Sequence, residues 1–304
     1  MAGARSSASP MAWAMLAPLG AVLIWSGNTV VTKAASGVIA PGSIAFYRWA
    51  IALLIFSPFV APAAWHNRAA AAAVWKQLLA LSLLGMVIYQ SLAYVAAQTT
   101  TAANMGIIIA LMPLCSSLLA SLFAGERLTV AGTVGAILSI AGLVYLLAHG
   151  DPSSLARGGV HPGDGLMLLA VLSNSLYGVL LKRWAMTLPL WQQLFWQIVF
   201  ATIILLPLWL LGPISPITAG NLPLILYAAI PTSLLAPFLW MRGISRLGAT
   251  RASLTINILP VVVALLAWLI LGERLHAYHY IGGGVCLLGV IVGLREWSLG
   301  GAKA

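Results

Sequence analysis

Ten side chains able to hydrogen-bond, stack or carry charge stand out within largely apolar stretches. They are Asn28, Arg48, Tyr89, Gln90, Tyr94, Asn174, Tyr177, Trp240, Ser253 and Asn257. The set contains no carboxylate, histidine or cysteine, so it offers no acid–base pair, metal-ligand cluster or activated nucleophile. Amides, phenols, an indole, a hydroxyl and one guanidinium suit non-covalent capture of a small solute instead. Asn174 and Tyr177 are three apart and share a helix face, as Tyr89 does with Ser82 and Met86. Each candidate also has a plain structural use. Asn and Gln join helices by hydrogen bonds, tyrosines form belts at membrane boundaries, and Arg48 can snorkel or bond helix-end carbonyls.

The elements that position these residues follow from composition. Of 304 residues, 62% are hydrophobic and 7% charged, and the mean hydropathy is +1.02. A soluble domain carries about a quarter of its residues as charged side chains, so a soluble enzyme, a disordered chain and a disulfide scaffold are excluded. Uncharged runs at 6–32, 49–67, 128–150, 165–181, 252–272 and 275–294 fit one span each. The longer runs 77–125 and 184–241 fit two each, divided at Gln98-Thr99-Thr100-Thr101 and between Gly212-Pro213 and Gly220-Asn221. The expectation is an all-α integral membrane protein of ten transmembrane helices. Continuous apolar runs, without alternation, exclude a β-barrel. The run Met11 to Thr32 is long for a signal peptide and is read as the first helix.

Basic residues orient the chain. Allotting loops to alternate sides puts eleven bases on the side of both termini and three, Lys33, Arg157 and Arg274, on the other. By the positive-inside rule both termini are cytoplasmic. The cluster Arg242, Arg246 and Arg251 then marks topology rather than a nucleic-acid surface.

The chain also repeats. At an offset of 147 residues Pro113 meets Pro260, Gly125-Glu126-Arg127-Leu128 meets Gly272-Glu273-Arg274-Leu275, and twelve of 35 positions from Pro113 to Leu147 are identical. At 149 Lys33 meets Lys182, Phe46 meets Phe195 and Pro58 meets Pro207. The expected units are a tail at 1–12, five helices at 13–148, a periplasmic linker at 149–163, five helices at 164–294 and a tail at 295–304. Five being odd, the second unit enters the membrane from the opposite side. Such inverted-topology repeats around a central cavity are a transporter signature.

Trp25-Ser26-Gly27-Asn28 followed by Lys33, then Phe46-Tyr47-Arg48 and the doubled Gly-Glu-Arg-Leu, resembles EamA-type proteins of the drug/metabolite transporter superfamily. The resemblance covers about 13–294 and is nearest to bacterial amino-acid exporters of the YddG type. It implies ten helices in a 5+5 inverted arrangement, with the first four of each half shaping the cavity and the fifth and tenth packed behind. It also implies an inner-membrane exporter of amino acids, aromatic ones included.

The remaining marked residues read as structural. Lys33 and Lys182 lie at helix ends, where a base satisfies the dipole. Glu126 and Glu273 can accept bonds from free amides at a helix start or pair with the adjacent Arg. Pro113 and Pro260 are expected to bend the fourth and ninth helices near their middles. Gly135/Gly142 and Gly282/Gly289 predict close packing of helices 5 and 10, and Cys115 and Cys286 are small apolar fillers. All five acids and all five histidines fall near helix ends or in loops. No proton carrier is evident in mid-membrane, so uncoupled transport by alternating access is expected. Neither an enzyme nor a cofactor is expected. Small-molecule substrate and lipid are the expected partners, nucleic acid is not, and the expected state is a monomer. A carrier of phosphorylated solutes such as nucleotide sugars, using Lys33, Lys182 and Arg48, and a non-transporting scaffold or sensor are the alternatives.

Overall fold

The computed structural model describes residues 10–123, 130–151, 161–247 and 254–300, and among them every regular element is helical. In chain order these are α1 (Pro10–Ala35), α2 (Pro41–His66), the short α3 (Arg68–Ala73) and α4 (Trp75–Ala96). Next come α5 (Ala102–Ala110), α6 (Met112–Phe123), α7 (Val130–Leu147), α8 (Pro162–Trp184) and α9 (Leu190–Leu211). The tenth, α10, runs as Leu222–Tyr227, Ala228–Leu235 and Ala236–Leu247. A 3₁₀ turn, Leu254–Ile258, leads into α11 (Leu259–Leu271), and α12 spans Ala277–Gly300. By length and composition seven helices can each cross a bilayer, and α5 with α6 makes an eighth if that bent pair is one span. Two shorter apolar stretches, Leu259–Leu271 and Ala277–Gly293, follow.

Local sequence sets the boundaries. Prolines stand in the first turns of α2, α8 and α11, where a missing amide hydrogen costs nothing. Thr101 caps α5, its hydroxyl accepting from the Asn104 amide at 3.1 Å. Gly272 ends α11 at φ +66°, a left-handed conformation that glycine adopts without strain. A bend accompanies the first of the two expected prolines. The chain bends by 40° between α5 and α6, just before Pro113, and Pro260 likewise follows the 3₁₀ turn as the second residue of α11. Each proline therefore opens an α-helical segment instead of sitting mid-helix, because its ring is accommodated where no preceding turn must accept its amide.

Packing follows side-chain size. Helices α7 and α12 lie together through glycines. A Cβ at Gly135 would stand 2.4 Å from the Gly289 carbonyl oxygen, and one at Gly142 would stand 2.6 Å from the Cys286 amide nitrogen. Ser139 Oγ donates to the Cys286 carbonyl at 2.9 Å, and Cys286 Sγ to the Ser139 carbonyl at 3.2 Å. Elsewhere α2 packs on α9, α1 on α10 and α11, α8 on α4 and α6, and α5 on α11.

Candidate functional site

Arg48 lies seven residues into α2 from Pro41, about 10 Å along the axis. That is two turns from the helix start. It does not snorkel: the residue is only 3% exposed. Its Nε donates to Ser233 Oγ at 2.8 Å, and Nη1 donates to Gln90 Oε1 at 2.8 Å and to the Tyr94 hydroxyl at 3.4 Å. The guanidinium carbon stands 5.1 Å from the Trp49 ring centroid. Tyr89 lies within electrostatic reach of Arg48 and Tyr94. Three helices, α2, α4 and α10, thus meet at one cation whose hydrogen-bond partners among the described residues are all neutral. An ion withdrawn from water without a counter-ion costs several kcal/mol, which neutral acceptors offset only in part.

The partners are held by irregular helix. Both α4 and α10 widen to π geometry, over Leu83–Ile88 and Ala228–Leu235. Such bulges displace carbonyls from the regular ladder and recur at functional sites. Side chains satisfy the displaced groups here. Trp49 Nε1 donates to the Met86 carbonyl at 3.3 Å, Thr232 to that of Tyr227 at 3.0 Å and Ser233 to that of Ala228 at 2.8 Å. Pro231, lacking an amide hydrogen, falls inside the second bulge.

The other candidates surround this cluster unevenly. Tyr177 packs on the first bulge, where a Cβ at Gly85 would come within 2.8 Å of its ring. Asn174 donates to Met112 Sδ at 3.1 Å, at the bend between α5 and α6, and Ser173 donates to the Leu84 carbonyl at 2.8 Å. Trp240 stands 5.5 Å from Trp25, ring centroid to centroid, joining α10 to α1. Both pack with Tyr89 against one apolar cluster. Asn28 keeps a buried Oδ1 without a hydrogen-bond partner among the described residues. Ser253 and the side chain of Asn257 lie outside the described residues. Arg48, Gln90 and Tyr94 are therefore in contact, Tyr89 lies beside them, and Asn28, Asn174, Tyr177 and Trp240 hold separate positions.

Sequence reasoning missed Ser233, Trp49 and Gln197. Gln197, the repeat counterpart of Arg48, is 2% exposed with an unpartnered Oε1, and its backbone carbonyl accepts from Ser82 Oγ at 2.7 Å.

A second polar group ties helix ends. Lys33 Nζ donates to the Ala97 carbonyl at 2.8 Å, at the end of α4. Asp164, in the first turn of α8, is fully buried and accepts from Thr100 Oγ1 and, at 3.2 Å, from Asn104 Nδ2. Glu273 accepts from the amides of Ala102 and Ala103 at 2.8 and 3.2 Å. It caps α5 from 170 residues away instead of capping the helix that follows it. At the opposite end Asn67 Nδ2 donates to Gln192 Oε1 at 3.1 Å and Arg183 donates to the Phe123 carbonyl. Lys182 is exposed at the end of α8, and Glu126 and Arg251 lie outside the described residues. Among the described residues no group of three or more His, Cys, Asp or Glu is placed to hold a metal.

The EamA-like transporter family model matches residues 11–148 and again 161–295. The chain belongs to the EamA-like transporter family. It is 25% identical over 282 residues to the uncharacterized transporter YyaM of Bacillus subtilis, covering 88% of this chain and 89% of that one. An uncharacterized transporter of Archaeoglobus fulgidus is 26% identical over 275 residues, covering 88% and 93%. Protein PecM of Dickeya dadantii is 27% identical over 236 residues, covering 76% and 74%. A solved crystal structure superposes with a TM-score of 0.61 at 21% identity, over 93% of this chain and 96% of its own, and so shares the fold. As a member of a membrane transporter family, this chain takes small-molecule substrates and works within lipid, and its family and transporter-named relatives indicate a transporter rather than an enzyme.

Proposed function

We propose that this EamA-family protein exports amino acids and related carboxylate-bearing metabolites, aromatic ones included, across a bacterial inner membrane. One observation carries this reading: a cation two turns deep in α2, 3% exposed, with only neutral hydrogen-bond partners among the described residues. A substrate carboxylate is the missing counter-ion. It would meet Arg48 in competition with Gln90, while Tyr89, Tyr94 and the polar residues Asn28, Asn174, Tyr177, Trp240, Ser253 and Asn257 would contact the rest of the solute along a central cavity. Lys33, committed to the Ala97 carbonyl, speaks against phosphorylated solutes held by a set of bases.

The ten-span reading counts α11 and α12 as the ninth and tenth crossings, in units at 13–148 and 164–294 joined at 149–163. Support comes from neighbour pairs that exchange under the repeat, α1 on α10 with α8 on α4, and α1 on α11 with α8 on α6. The reciprocal bonds of Ser139 and Cys286, 147 residues apart, add to it. On this reading Asp164 and Glu273 stand at the periplasmic end and both termini are cytoplasmic. Transport is uncoupled, by alternating access of a monomer.

The test is counterflow in proteoliposomes with a panel of labelled amino acids. Export of at least one aromatic or aliphatic amino acid, weakened roughly 10- to 150-fold in Arg48→Gln, is expected. A protein that moves none of the panel, or moves it equally well without Arg48, contradicts the proposal, and absence of any flux points to a scaffold or sensor.

A further inference from the structure

Far from Arg48, where α2 gives way to α4, a groove of about 460 Å³ opens beside the short helix α3. Its lining is Arg68, Ala69, Ala71, Ala72, Trp75 and Leu78 with Trp196 and Phe200 of α9. Arg68 is the one charged group in it. The alanines of α3 make the space, because any longer apolar side chain there would fill it.

We propose that this groove is a binding site for an anionic phospholipid, an acyl chain lying between α3 and α9 and the phosphate on Arg68 and Lys76. Charge and geometry choose the occupant. Arg68 is exposed and lies over Trp65 at 5.3 Å, and Lys76 lies over Trp75 at 5.9 Å. Trp65 and Trp75 are themselves 63% and 47% exposed. Two cations braced on two outward indoles at the end of a membrane-crossing helix make a headgroup-level platform. Beneath it the walls are apolar, as an acyl chain requires. A water-soluble anion would meet the two cations but leave the apolar groove empty, and a zwitterionic lipid would fill the groove but gain less from the cations.

Native mass spectrometry of the full chain, released from nanodiscs holding equal amounts of phosphatidylglycerol and phosphatidylcholine, reads this directly. The wild type is expected to retain phosphatidylglycerol at least fivefold over phosphatidylcholine. Ala72→Trp, which fills the groove, removes the retained lipid. Arg68→Gln with Lys76→Gln, at exposed positions that leave folding intact, keeps a retained lipid but brings the ratio near one. Absence of preference in the wild type, an unchanged ratio in the double variant, or lipid retained by a folded Ala72→Trp would overturn the proposal. So would a dimer mass lost on filling the groove, since a second copy would then be the occupant.

Discussion

Removing the Glu273 carboxylate isolates one strap between distant parts of the chain. Its two oxygens accept from the Ala102 and Ala103 amides at 2.8 and 3.2 Å. In Glu273→Ala both donors at the start of α5 are left to water. A hydrogen bond to an ionised group contributes about 1.5–3 kcal/mol, so two would approach 3–6 kcal/mol if dry. Glu273 is only half-buried, so water replaces part of each bond and the net loss is about 2 kcal/mol. At 1.4 kcal/mol per factor of ten, that is roughly a 30-fold shift in the equilibrium separating α5 from the loop after α11. Hydrogen–deuterium exchange of the amides from Ala102 to Gly106 in nanodiscs is the assay. Exchange there should accelerate on the order of 30-fold in Glu273→Ala, while the α7–α12 amides change little. An acceleration below about threefold would refute the idea that this carboxylate fastens α5.

Three further outcomes follow from the same coordinates. Gly142→Ala drives a Cβ to 2.6 Å from backbone at Cys286, whereas Gly284→Ala meets nothing within 4 Å. The first should lower thermal stability in detergent by about 1–3 kcal/mol and the second should be neutral or slightly stabilising, so equal melting shifts would contradict the packing assigned to α7 and α12. Gly85→Ala, 2.8 Å from the Tyr177 ring, should destabilise by about 1–3 kcal/mol. Combining it with Tyr177→Ala should recover part of that loss, and strictly additive melting data would argue against the contact. Counterflow with an imposed pH gradient tests uncoupled transport. The final substrate ratio should not respond, whereas one-to-one proton coupling would move it on the order of tenfold per pH unit.

Much of this architecture was legible because apolar runs and small residues act locally. The glycine pairs 135/142 and 282/289 announced a close helix contact, and the structure places them against one another. The bases and acids were legible in kind but not in partner. Lys33 does meet a helix-end carbonyl and Glu273 does cap a helix start, yet the carbonyl is Ala97 and the helix is α5. Sequence position reveals that a helix end has free amides, whereas only tertiary packing decides which side chain reaches them. Asp164 was placed at a helix end and is there, but its complete burial depends on Thr100 and Asn104, which no periodicity links to it. Arg48 bounds the uncharged run 49–67 in the sequence, yet it lies inside α2, because uncharged runs locate charges and not helix starts, and α2 begins at Pro41. Ser233 carried no signal beyond the nearby Pro231, and the π segment that holds it lies against α2 and α1, which no local pattern reveals.

The central claim is that Arg48 reads a carboxylate. Its most direct test is competition counterflow of an exported amino acid against its own primary amide, in wild type and Arg48→Gln. The amide keeps size, shape and amino group but removes the anion. A charge-assisted bond contributes about 1.5–3 kcal/mol, so the wild type should prefer the acid by roughly 10- to 150-fold. The variant should fall to near parity while still moving the amide. Equal preference in the wild type, or an acid preference that survives in Arg48→Gln, would contradict the account.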